Sequence, residues 1–104
     1  MIVNALDIDE VKARLADGSI LIVDVREPHE FMAGHIPGSV SLPLSQFDPA
    51  DLPSVPGKTL VLSCGSGVRS LHAMAYAQSA GLDVDTHYAG GFRDWVAHGE
   101  AVAR

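Results

Sequence analysis

The chain is poor in cysteine, in cations and in long apolar runs. It carries one cysteine, Cys64, in 104 residues, which excludes an internal disulfide framework and fits a reducing compartment. Seven Lys and Arg face thirteen Asp and Glu, a formal net charge of −6, and the cations are scattered. A phosphate-reading surface needs clustered cations, so nucleic acid is not an expected partner. No apolar stretch approaches the roughly 20 residues of a membrane-spanning helix. Met1-Ile2-Val3-Asn4 lacks the cationic and apolar segments of a secretory signal. The expectations are a cytoplasmic protein with no membrane partner. Five histidines and one cysteine show no zinc-like spacing, so neither a metal nor another cofactor is expected.

What the chain does have is enough apolar content, 47 %, for one core, so residues 1–104 read as a single domain without linker or repeat. Asp7-Ile8-Asp9-Glu10 has the pattern of a capping box, and Ile8, Val11 and Leu15 continue at helical spacing until Gly18. Ile20 to Val25 is a continuous apolar run, as in a strand covered on both faces. A short helix over Pro28 to Met32, a short strand over Gly38 to Leu42 and a proline-rich loop from Ser45 to Gly57 follow. Thr59 to Ser63 reads as a buried strand. The next helix, Ser70 to Ala80, has Val68, Leu71, Met74 and Ala75 as its expected apolar face and stops at Gly81. Asp85 to Tyr88 is the last expected strand, and Phe92, Trp95 and Val96 belong on a final helix. Alternating strands and helices predict an α/β domain with a mainly parallel sheet.

Cys64-Gly65-Ser66-Gly67-Val68-Arg69 is where this pattern acquires chemistry. The cysteine lies where a strand gives way to a helix, a place where backbone N–H groups converge and favour a thiolate. Arg69 is the only formal cation between Lys58 and Arg93. The two glycines permit the close approach that an anion cradle needs. Cys64 is therefore expected to be an exposed, low-pKa nucleophile, Arg69 a fixed cation, and the backbone from Gly65, Ser66, Gly67 and Val68 through Arg69 a cradle for an anionic substrate. Arg26 and Glu30 read as a structural ion pair, Asp24 as a residue orienting the following loop, His35 as a turn-holder, and His72, one turn beyond the loop, either as an electrostatic influence on Cys64 or as a solvated helix-face residue.

Three stretches carry a family resemblance: Asp24-Val25-Arg26-Glu27-Pro28-His29-Glu30-Phe31 with Gly34-His35-Ile36-Pro37-Gly38-Ser39; Cys64 to Ser70; and Gly90-Gly91-Phe92-Arg93-Asp94-Trp95. In this order they resemble the signatures of the rhodanese (sulfurtransferase) superfamily. The resemblance implies a rhodanese-like domain whose central five-stranded, mainly parallel sheet is flanked by helices on both faces. It also implies that Cys64 takes sulfur as a persulfide and passes it on. The expected partners are a small-molecule sulfur donor and a thiol or cyanide acceptor, with a protein acceptor as a further option. No second cysteine exists to resolve the persulfide internally, so the acceptor must come from outside.

Other readings of the same loop are weighed by its length. A Cys-dependent phosphatase or arsenate reductase would also use a strand, a Cys-to-Arg loop and a helix, but phosphatase loops look like Cys-x-x-x-x-x-Arg, whereas four residues separate Cys64 from Arg69, a loop sized for sulfur rather than phosphate. Gly65-Ser66-Gly67-Val68-Arg69-Ser70 lacks the third glycine of a dinucleotide loop. Non-catalytic binding modules commonly lack the cysteine that this chain keeps. As to the donor, Cys-Gly-Ser-Gly-Val resembles mercaptopyruvate-type loops, and thiosulfate-type loops often carry a cation where this chain has Gly65. Arg69 and the single-domain length favour thiosulfate.

Overall fold

The computed structural model describes residues 1–104. Its strands are β1 (Asn4–Leu6), β2 (Ile20–Asp24), β3 (Val40–Ser41), β4 (Thr59–Ser63) and β5 (Thr86–Tyr88); its helices are α1 (Ile8–Ala16), α2 (Pro28–Ala33), α3 (Val68–Ser79) and α4 (Gly91–Ala97). All pairings in the sheet are parallel, in the order β1-β5-β4-β2-β3. β2 leads outward to β3 on one side and β4 outward to β5 on the other. The crevice beyond the carboxyl ends of β2 and β4 is thus the point where strand order reverses, the usual ligand position in open parallel sheets. Cys64 follows β4 and Arg26 follows β2, so both stand at that edge.

Alternation along the strands divides the core into two layers. Ile20 and Ile22 of β2, Val61 of β4 and Tyr88 of β5 join Leu6, Val11, Ile36 and Trp95 on the face covered by α1 and α4. Val23, Leu62 and Cys64 join Ala73, Met74 and Ala77 of α3 on the other. Each fully buried Val, Leu or Ile contributes about 1.5–3 kcal/mol, so two layers of this size hold a short chain together. No helix is long and apolar enough to cross a membrane.

Local chemistry sets the helix boundaries. The Asp7 carboxylate accepts from the Glu10 amide at 2.9 Å and the Glu10 carboxylate from the Asp7 amide at 3.2 Å, so the expected capping box is formed. Pro28 fits the first turn of α2, where a missing N–H costs nothing. Past the end of α3, Gly81 adopts a φ of 83°, the left-handed stop its sequence position predicts.

Three features differ from the sequence expectation. β1 is an additional edge strand; it pairs with β5 through Asn4–Thr86, Ala5–His87 and Leu6–Tyr88. α3 starts at Val68 rather than Ser70, which puts Arg69 in its first turn. The buried face of α3 is Ser70, Ala73, Met74 and Ala77; of the expected face only Met74 is buried, and Val68 is 58 % exposed. Small side chains at i, i+3 and i+7 (Ser70, Ala73 and Ala77) around Met74 let α3 lie close to the sheet, and they carry little hydropathic signal.

The tail is also tied down. His35 and Ala103 exchange two backbone hydrogen bonds of 2.9 Å, and the Trp95 indole N–H donates to the Ala101 carbonyl at 2.7 Å.

Candidate active site

The loop after β4 is held from behind by the start of α4. The Phe92 amide donates to the Cys64 carbonyl at 2.8 Å and the Arg93 amide to the Gly65 carbonyl at 3.1 Å. Because peptide units are planar, carbonyls turned toward α4 leave the following N–H groups on the opposite side of the loop, where those of Ser66 and Gly67 bear on the sulfur. This approach requires Gly91: a Cβ there would lie 2.6 Å from the Cys64 carbonyl oxygen, and its φ is 66°. Gly67 is equally constrained, with φ 91° and the Ala89 carbonyl oxygen 2.4 Å from where a Cβ would stand. The glycine signature Gly90-Gly91 and the loop glycine thus belong to one construction, the seating of the loop against β5 and α4.

Cys64 sits inside this seat. The Gly67 amide donates to its Sγ at 3.1 Å, and the Ser70 hydroxyl lies 3.6 Å from Sγ, within the longer reach of a sulfur contact. Burial pushes the thiol pKa up, but the hydrogen bonds of the Ser70 hydroxyl and of the Ser70, Ser66 and Gly67 amides outweigh it and hold the pKa below its ordinary value. The expectation of an exposed thiolate is corrected by its 1 % exposure. The sulfur is activated beneath its own loop, because groups that point at it also cover it. The exposed side chains of the loop are Ser66 and Val68.

Arg69 leaves the first turn of α3 and meets α2. Its Nη1 donates to Glu30 Oε1 at 2.6 Å and its Nη2 to Oε2 at 3.1 Å, a two-pronged pair with side-chain exposures of 36 % and 28 %. The Arg69 guanidinium holds the Glu30 carboxyl at about 2, well below its usual range. The same guanidinium lies 3.1 Å from where a Cβ on Gly65 would stand. The cation at the loop therefore passes beside Gly65, the position at which a neighbouring side chain would crowd it.

The expected Arg26–Glu30 pair is not formed. Arg26 turns back to Asp24, donating from Nη2 at 2.8 Å and from Nε to both carboxylate oxygens at 3.1 Å, and it also donates to the Gly34 carbonyl at 2.7 Å. Its guanidinium carbon stands 4.2 Å from the centre of the Phe92 ring. Asp24 also accepts the Arg26 amide at 3.0 Å, which gives it the loop-orienting place expected of it. His35 holds its turn as expected: Nδ1 lies 2.9 Å from the Phe31 carbonyl and the ring stacks on Phe31 at 3.8 Å. His72 is exposed on α3.

Sequence reasoning gave Glu30 the wrong partner and missed His87. Glu30 reaches Arg69 across 39 positions, and His87 of β5 places Nδ1 2.8 Å from the Ser70 hydroxyl. Strand parity is the signal that could have found His87: it pairs with Leu62 and so faces the α3 layer, two residues before Ala89.

The rhodanese-like domain family model matches residues 7–98, including every site residue above. The chain belongs to the rhodanese-like domain family. An uncharacterised protein of Synechocystis is 44 % identical over 81 residues, covering 78 % of this chain and 45 % of its own length. The chain thus spans about half the length of that relative. The human protein named thiosulfate:glutathione sulfurtransferase is 32 % identical over 105 residues, covering 88 % of this chain and 91 % of its own. Among solved rhodanese-like structures, the human single-domain sulfurtransferase TSTD1 superposes with a TM-score of 0.75 at 32 % identity, over 89 % of this chain and 95 % of its own.

Proposed function

We propose that this rhodanese-like domain is a sulfurtransferase that carries sulfane sulfur on Cys64, with thiosulfate as the favoured donor. The observation that carries the reading is the Gly67 amide donating to Cys64 Sγ at 3.1 Å within a loop whose other amides and Arg69 bear on the same space. Those groups favour negative charge on sulfur in both half-reactions. The names of the human relatives point the same way.

In the first half-reaction the Cys64 thiolate attacks the outer sulfur of the donor. A sulfur–sulfur bond forms to Cys64, the donor's own bond to that sulfur breaks, and sulfite departs from thiosulfate with the electron pair. The charge then rests on the terminal sulfur of Cys64-S-S⁻, and the amides that stabilised the thiolate continue to serve it. In the second, a cyanide or thiolate acceptor bonds to the terminal sulfur and the Cys64 thiolate leaves, restoring the starting state. Arg69 offers the donor's oxyanion a cation of fixed position. A 1 % exposed sulfur suits acceptors slender enough to enter the loop, such as cyanide or an extended thiol, including a cysteine on a flexible segment of a protein acceptor.

The test is mass spectrometry of the protein after thiosulfate treatment. A gain of one sulfur atom on Cys64, removed by cyanide or glutathione, is the expected outcome. Absence of any adduct with thiosulfate, 3-mercaptopyruvate or a small-molecule persulfide would overturn the reading. Comparing kcat/KM for thiosulfate and 3-mercaptopyruvate then assigns the donor.

A further inference from the structure

The α3 layer of the core is apolar except at one point. Ser70 is fully buried, His87 is 4 % exposed, and between them and Cys64 runs a continuous chain of contacts: Sγ to the Ser70 hydroxyl at 3.6 Å, and that hydroxyl to His87 Nδ1 at 2.8 Å. A buried hydroxyl without partners costs stability, so a serine among Ala73, Met74 and Ala77 calls for a role in what it touches. The strand neighbours paired with His87 are Leu62 of β4 and Ala5 of β1.

We propose that His87 is a positioning residue: its Nδ1–H donates to Ser70 Oγ, which leaves the Ser70 proton free to point at the Cys64 sulfur. A hydroxyl has one proton to give. If Nδ1 were unprotonated it would take that proton, and only oxygen lone pairs would face the sulfur, an arrangement that favours the thiol. With the proton on Nδ1, the hydroxyl donates to sulfur and favours the thiolate. The imidazole tautomer therefore decides which form of Cys64 the buried serine supports. Burial disfavours the charged imidazolium, so His87 acts as a neutral ring, and no charged side chain contributes to that shift. The charged group coupled to the sulfur is Arg69 on α3, which is itself coupled to Glu30 on α2 and to Asp24 at the end of β2. No proton leaves the relay during sulfur transfer; it stabilises the anion both as nucleophile and as leaving group.

The relay deepens the sulfurtransferase reading and rests on it for its purpose, yet its test needs no sulfur transfer. Cys64 is the only cysteine, so the pH dependence of alkylation by iodoacetamide reports its thiolate alone. Ser70→Ala is expected to raise the midpoint and slow alkylation at neutral pH about tenfold, the size of a lost hydrogen bond to a charged group. His87→Leu should shift the midpoint the same way by a smaller amount, about threefold in rate, because Ser70 remains but is no longer oriented. His87→Asn, whose amide N–H can replace Nδ1–H, should restore the wild-type midpoint. The Ser70→Ala/His87→Leu double variant should match Ser70→Ala, since His87 acts through the hydroxyl. An unchanged or lowered midpoint in folded His87→Leu, or additive shifts in the double variant, overturns the proposal. Nitrogen NMR of the wild-type imidazole gives a measurement independent of folding in any variant: a protonated Nδ1 supports the relay and an unprotonated Nδ1 sinks it. A protein that shows the relay but takes no sulfur would retire the sulfurtransferase reading alone.

Discussion

Arg26 and Arg69 follow neighbouring strands, and each grips a carboxylate with two nitrogens, but they occupy different regions of physical behaviour. The side chains of Arg26 and Asp24 are each 5 % exposed; Arg26 also holds the Gly34 carbonyl and stacks on Phe92. Arg69 is 36 % exposed, binds only Glu30 and flanks the sulfur loop. A cation whose every face is occupied by its own protein is part of the scaffold. One with an open face at the edge of the cysteine loop has room beside it for a ligand. Burial and the number of partners separate the two roles, where residue type and sequence neighbourhood do not.

The largest effect that would break this comparison is expected at the scaffold pair. Arg26→Met leaves Asp24 as a buried carboxylate without its cation, and removing one partner of such a pair typically costs about 3–5 kcal/mol. Urea unfolding should show that loss, while the folded fraction keeps its Cys64 alkylation profile. A stability change below about 1 kcal/mol would mean that Arg26 is no more structural than a surface cation.

The second effect is on turnover rather than stability. Arg69→Ala should lower kcat/KM for thiosulfate by about tenfold or more, the scale of one charge-assisted contact. Its stability should change by less than about 1 kcal/mol, because a partly exposed pair contributes little. Unchanged kinetics would remove Arg69 from donor binding and leave the loop amides as the whole anion site.

Both arginines show where the sequence was readable. Periodicity and capping chemistry located α1, β2 and β4, since Asp7 with Glu10 and the run from Ile20 act over a few residues. The glycine pairs were legible as signatures, but their reason, contact between Gly91 and the backbone of Cys64 and Gly65, exists only in three dimensions. Asn4-Ala5-Leu6 was missed because three residues carry no period; β5 makes them a strand. The Arg26–Glu30 expectation assumed a local pairing. Arg26 lies before α2 begins, so its side chain turns to Asp24, and Glu30 is released to a partner 39 residues away. Cys64 was found, whereas its burial was not, because a convergent cradle both activates and encloses the atom it serves.

The smallest effect sharpens the comparison by asking what Glu30 withholds from Arg69. With the Glu30 carboxyl held at about 2 by Arg69, the sign of its linkage is that of a depressed acid: the pair's contribution is complete above the ordinary carboxyl pKa of 4.5 and fades only as pH falls toward 2. No working pH therefore releases the guanidinium, and a pH–rate profile should carry no Glu30 limb above 4.5. Substitution is the route that remains. Glu30→Gln keeps an oxygen for Arg69 but removes the charge that opposes an anionic donor, and should raise kcat/KM for thiosulfate by about threefold at low ionic strength. Added salt should erase most of that gain, since the groups are partly exposed and a Debye length at 0.1 M is about 10 Å. The melting temperature should fall by only a few degrees, as about 0.5 kcal/mol is at stake. A loss of activity instead would show that Glu30 aims Arg69 rather than masking it, and the pair would then be a rigid unit like Arg26 with Asp24, differing only in having one face open.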